Sequence, residues 1–286
     1  MYRPSSFSQL PEIVKNLLII NGLFFLATIS LESYGIDFTK WFALHQFQSE
    51  DFMPHQLITH FFMHGNFTHL LFNMFALWMF GKILENVWGG KRFLIYYMFT
   101  GLGAAALHLG VSQYEIVSLQ SQINPSNLDI LLENGKSILE GNQNYSNQIM
   151  GKLNLLINTP TVGASGAVFG ILLAFGMLFS NTRLQLLALF LILISFDIIF
   201  GIPFNYIAIV ITLLIISKIA PNLNYYIWYT IPIKAKYFVI TYGAIELYLG
   251  ISNNPADNVA HFAHLGGMLF GFIILKYWQK NNTQFY

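Results

Sequence analysis

The sequence predicts an all-α membrane protein, a bundle of spanning helices, and three observations carry that prediction. Of the 286 residues, 55% are hydrophobic and 9% charged, against roughly 25% charged in soluble domains. The apolar residues fall in runs close to the ~20 residues that a bilayer core requires. Lysine and arginine gather at one set of run ends, as in proteins that sort their loops across a membrane. The net charge of +1 argues against a nucleic-acid partner. The absence of cysteine excludes disulfide and thiol chemistry and leaves the compartment open.

Residues 1–11 read as a polar tail with Arg3 and two prolines. The apolar run from about Ile13 to Ile29 lacks a small-x-small cleavage site and more spans follow it, so it is an uncleaved first helix. Residues 31–59 carry Glu32, Asp37, Glu50 and Asp51 and are too polar to span. They are expected to lie in the interface, anchored by Trp41 and its phenylalanine neighbours. A second span covers Phe67–Trp88 and a third about Phe93–Val111. The polar connector 112–160 holds one amphipathic stretch, 128–140, predicted as a short surface helix in a largely irregular loop. The fourth span opens at Ser165 and ends near Ser180.

The block 186–219 is almost wholly apolar, carries Asp197 and breaks at Gly201-Ile-Pro203. It is predicted as a tight helical hairpin turning at Gly201–Phe204. Two further spans cover about Tyr237–Ile251 and Val259–Trp278. Arg3, Lys15, Lys91, Arg92, Arg183, Lys234, Lys236, Lys276 and Lys280 all fit one side of the membrane, which predicts cytoplasmic termini. One exception is the 112–160 connector, with Lys136 and Lys152, which also carries four acids. With Arg183 and Lys234 on the same side, the block between them must cross twice or not at all.

In that orientation Ser165, the start of the last span and the start of the second span enter from outside at similar depth. Ser165 stands between Gly163 and Gly166 and opens its helix, beside backbone N–H groups that a helix leaves unpaired at its positive end. Such donors can hold an oxyanion. The bland alternative is that small residues open a membrane helix only so that neighbours pack closely. Gly166 and Gly170 are four apart, as are Gly267 and Gly271, and His264 lies one turn before Gly267. If these faces pack, His264 reaches Ser165 and can take its proton. His69 and Asn73 share a helix face and are neutral donors of the oxyanion-stabilising kind. His261 is expected to cap or to face the interface. Glu246 is either a proton relay or a hydrogen-bond partner of a neighbouring helix. His60 and His64 stand i and i+4 but lack the glutamate of a His-Glu-x-x-His metal site.

His69-Leu-Leu-Phe-Asn73, Gly163-Ala-Ser-Gly166 and Ala263-His-Leu-Gly-Gly-Met-Leu-Phe-Gly271 together resemble the rhomboid intramembrane serine proteases of bacterial type. The resemblance covers about residues 12–112, 161–187 and 231–280. It implies a single membrane domain over 1–286, with a six-helix core and the apolar block 187–228 inserted between the fourth and fifth core helices. It implies a dyad without a third acid, with Ser165 as nucleophile, His264 as base, and His69, Asn73 and the Ser165 N–H at the oxyanion. Phe169, one turn after the serine, would pack on the histidine ring. The implied substrates are transmembrane segments of other proteins, cut near their outer end in the bilayer of a bacterial inner membrane, with no cofactor and no metal. Pro54-His-Gln-Leu57 stands where many members have a Trp-Arg pair, so the usual anchoring role of that loop is not carried over. A rhomboid-fold protein that binds client helices without cutting them is the alternative, and inactive relatives typically lose the serine or the histidine. A transporter is disfavoured because the two halves show no internal repeat.

Overall fold

A computed structural model of the chain describes residues 10–184, 233–252 and 259–281. The predicted apolar hairpin lies outside the described residues. Ten helices are described: α1 Glu12–Glu32, α2 Phe38–Phe42, α3 Gln56–Thr59, α4 Phe67–Trp88, α5 Gly90–Gln120, α6 Pro125–Glu140, α7 Gln148–Asn158, α8 Ser165–Leu178, α9 Ala235–Ser252 and α10 His261–Asn281. Among them α1, α4 and α5 are long and apolar enough to cross a membrane, and α8 is a shorter apolar helix.

The chain divides into two compact units, Met1–Ala174 with Gly243–Tyr286, and Phe175–Tyr242. In the first, α1 starts at Pro11, and its leading N–H groups at Ile13 and Val14 are bound by the Glu85 carboxylate from the end of α4, at 2.9 and 2.8 Å. That explains a buried acid in a mostly apolar helix: it caps another helix at its positive end. Helix α4 passes through a π-helical stretch at Leu77–Gly81 and stops at Gly89, whose φ of +76° suits glycine. Helix α5 packs on α10 through small residues: Gly266 lies where a side chain would stand 2.9 Å from the Ala104 Cα and 3.1 Å from the Gly103 carbonyl. Between α1 and α4, Phe24 packs against Phe38, Phe42 and Phe62, and Trp41 remains half exposed.

The connector 112–160 is not a largely irregular loop. Helix α5 runs on to Gln120, past the expected end near Val111, because no breaker intervenes. Helix α6 starts at the Asn124 cap with Pro125 in its first turn, and α7 starts at the Asn147 cap. Ile116, Leu131, Met150, Leu153 and Ile157 then close a small core of their own. The side-chain amide of Asn154, fully buried, donates to the Gly135 carbonyl and to Asn144. The two lysines of this connector are both paired, Lys136 with Asp51 and Lys152 with Glu115.

The second unit holds the end of α8, the start of α9 and a short antiparallel pair, β1 Arg183–Leu184 and β2 Ile233–Lys234. Arg183 pairs with Lys234 and Leu184 with Ile233.

Candidate active site

Two short clamps fix the turn that precedes α8. Thr161 and Leu44 exchange backbone hydrogen bonds at 2.9 and 2.8 Å, and the Gly163 N–H donates to the His60 carbonyl at 2.9 Å. His108 on α5 meets the Thr161 hydroxyl at 2.8 Å. Gly163 turns with φ +125°, a conformation that disfavours a side chain, and a Cβ there would stand 2.8 Å from the His69 ring. The same Cβ would lie 3.6 Å from the Ser165 hydroxyl, so His69 and Ser165 border one open face of this glycine.

Ser165 is the first residue of α8. Behind it the backbones of α8 and α10 approach so closely that a side chain on Gly267 would run into the Gly166 carbonyl. A Cβ on Gly271 would stand 3.4 Å from the Gly170 Cα, and the Tyr96 hydroxyl donates to the Gly170 carbonyl at 2.8 Å. The paired small-residue faces thus bring Ser165 and His264 together: His264 Nε2 is 2.9 Å from Ser165 Oγ. The Phe169 ring stacks on the His264 ring, with centroids 4.1 Å apart and planes within 7°.

His69 and Asn73 lie one turn apart on α4, whose first turn is set by Asn66 accepting from the His69 N–H at 2.8 Å. Asn73 is buried, and its side-chain Nδ2 has no hydrogen-bond partner among the described residues. A buried donor left so is costly unless an acceptor comes to it. His60 Nδ1 bonds the Gln56 carbonyl at 2.6 Å, and the His64 ring stands edge-on to His69.

The histidine and the acid left open by the sequence both turn up here. His261 neither caps a helix nor faces the interface; it is buried, with Nδ1 2.7 Å from Glu246 Oε2. The same oxygen lies 2.9 Å from Nδ1 of His264. An acid therefore stands on the far nitrogen of the histidine that meets Ser165, where the resemblance implies none. The signal in the sequence was a lone glutamate inside an apolar helix. The ligand atoms of Glu246, His261 and His264 lie within 4.8 Å of one another, a spacing open to a metal ion, though hydrogen bonds already satisfy this carboxylate oxygen.

Comparison with known proteins follows the same residues. The sequence pattern of the Rhomboid domain family matches residues 51–280. The chain is 33% identical over 91 residues to "Rhomboid-like protein 11, chloroplastic" of Arabidopsis thaliana, covering 29% of this chain and 31% of the relative. It is 43% identical over 47 residues to "Putative rhomboid protease YdcA" of Bacillus subtilis (strain 168), covering 16% of this chain and 24% of the relative. The chain thus matches about a third or less of the length of these relatives.

Proposed function

Because the chain belongs to the rhomboid family, we propose that it is an intramembrane serine endopeptidase acting on transmembrane segments of other membrane proteins. The observation that carries the reading is the 2.9 Å approach of His264 Nε2 to Ser165 Oγ at the head of an apolar helix. His264 takes the hydroxyl proton as Oγ adds to the scissile carbonyl carbon. The oxyanion that forms accepts hydrogen bonds from Asn73 Nδ2, His69 and the Ser165 N–H. His264 then gives its proton to the departing amine. A water, deprotonated by the same nitrogen, attacks the acyl-serine and restores the free hydroxyl. No cofactor enters these steps.

In this reading the whole chain is one membrane domain, both termini are cytoplasmic, and segments 31–59 and 112–160 face outside. Support comes from the charge asymmetry itself, with Arg3, Lys15, Lys91, Arg92, Lys276 and Lys280 all fitting one side.

The test is reaction of the purified full chain with a serine-directed fluorophosphonate, set beside Ser165→Ala. Labelling of the wild type and none of the variant is expected. No labelling of a folded wild type would leave a rhomboid-fold protein that binds client helices without cutting them.

A further inference from the structure

Glu246 is the only acid in α9, sits in the middle of that helix and is 5% exposed. Buried carboxylates in apolar helices are costly and need a reason. Among the described residues Glu85 is another such carboxylate and has one, since it caps α1. Glu246 caps nothing; its Oε2 meets Nδ1 of His261 on one side and Nδ1 of His264 on the other. The bond to His261 alone would be enough to fasten α9 to α10. The bond to His264 lies on the nitrogen opposite Ser165, at 2.9 Å on each side of the ring.

The geometry points to Glu246 as a positioning residue for His264, a role that rests on reading Ser165 and His264 as the reacting pair. An ionised carboxylate only accepts hydrogen bonds, so Nδ1 of His264 must carry the proton. Nε2 is then the bare nitrogen, the form that can accept the proton of Ser165. With the ring plane held by Phe169 and the Nδ1 edge held by Glu246, the imidazole keeps one tautomer and one orientation. When Nε2 takes the serine proton, the new positive charge forms beside a fixed carboxylate. The Nδ1 proton stays on the imidazole; Glu246 holds and offsets charge without receiving it. His261 supplies a second donor that keeps Oε2 aimed at the pair. Among the described residues the imidazoles of His69 and His108 also face His264.

Glu246→Gln and Glu246→Asp in the full chain test this. The glutamine amide carries no charge and can present its NH₂ to Nδ1, which favours the wrong tautomer. Cleavage of a transmembrane substrate in liposomes should lose about 10²–10⁴ in kcat with KM little changed. Glu246→Asp keeps the charge and should recover part of the rate; should Glu246→Gln fail to accumulate, the aspartate variant carries the same split of kcat from KM. Wild-type kcat in Glu246→Gln, or a raised KM with kcat spared, overturns the proposal. So does a rise in wild-type activity on adding a chelator, which would make Glu246, His261 and His264 a metal site. Nitrogen NMR of ¹⁵N-histidine protein, with His264 assigned by its loss in His264→Ala, reads the tautomer independently of activity. Nδ1 protonated in the wild type and not held so in Glu246→Gln is expected; an unchanged tautomer overturns the proposal. A wild type that shows this tautomer yet takes no fluorophosphonate would sink the protease reading and leave the Glu246 contact standing.

Discussion

The site and the outer pair α6–α7 are built from opposite materials. At the site, backbone meets backbone: Gly267 lies on Gly166 and Gly271 beside Gly170. In the outer pair, side chains meet side chains, with Ile116, Leu131, Met150, Leu153 and Ile157 forming a closed cluster. In the proposed topology, with α6 and α7 outside the bilayer, the difference follows from the solvent. In lipid an apolar side chain gains little by leaving the hydrocarbon, so helices join through small residues and close contact. Next to water the same side chain gains by burial, and a cluster of five suffices to hold two short helices. The site therefore tolerates no added volume, whereas the outer pair tolerates no lost volume.

The largest expected effects lie at the site. Ser165→Ala and His264→Ala should each abolish cleavage, and the double variant should be no worse than either, because the two act as a unit. Gly267→Val should abolish it as well, since any side chain there meets the Gly166 carbonyl. Rates of substrate cleavage in liposomes check all four. Residual activity in Gly267→Val would show that α8 and α10 need not approach so closely, and would break the comparison at its stronger end.

How much of this could be read beforehand differs between the two regions for the same reason. Small residues repeating at four-residue spacing are a local pattern, so Gly166, Gly170, Gly267 and Gly271 point to the meeting of Ser165 with His264 if the two faces pack. The second span, Phe67–Trp88, has the same bounds in sequence and structure, because apolar runs report bilayer length directly. The outer connector was harder. Its cluster joins residues from three helices that no local period links, although the Asn124-Pro125 and Asn147 caps were there to be read. The place of Glu246 beside His264 was hidden likewise, since it depends on which helix α9 packs against. On α9 a Cβ at Gly250 would stand 3.3 Å from the His261 Cβ and from the Phe262 ring of α10.

The next effect sharpens the site itself. Asn73 Nδ2 is a buried donor without a partner among the described residues, as an oxyanion donor before reaction should be. Losing one such donor costs about 2.7–4 kcal/mol of transition-state stabilisation, so Asn73→Ala should lower kcat by roughly 10²–10³ and leave KM nearly unchanged. A raised KM with kcat spared would place Asn73 against the ground-state substrate instead.

Leu131→Ala probes the other region. Leu131 is fully buried in the outer cluster, and removing a buried leucine side chain costs about 2–5 kcal/mol. The loss should appear as faster amide exchange across α6 and α7, while fluorophosphonate labelling of Ser165 stays near the wild-type rate. Labelling that falls in step with the loss of protection would show that the outer pair holds the site in place, and the two regions would have to be treated as one.

The smallest effect comes from the ion pair that ties the outer pair to segment 31–59. Asp51 is nearly buried, and burial alone would raise its carboxyl; the Lys136 ammonium, 2.5 Å away, and Lys40, 3.5 Å away, outweigh that and hold it below its ordinary value of 3.8. Lys136 is held above its ordinary 10.5, first by its hydrogen bond to Asp51. A carboxyl lowered by folding contributes stability that is present above 3.8 and is lost as pH falls through the folded value. An ammonium raised by folding contributes stability that is present below 10.5 and is lost as pH rises through its folded value. The bridge is therefore at full strength between those limits. Both lysines remain partly exposed, so solvent screens the pair and Lys136→Met should cost only about 0.2–1 kcal/mol near neutral pH. That corresponds to a melting shift of at most about 4 °C, smaller in high salt. At pH below the folded value of Asp51 the variant and the wild type should melt together. A difference that persists there would mean that Lys136 acts through its methylene stem, packed like the leucines of the cluster beside it, rather than through its charge.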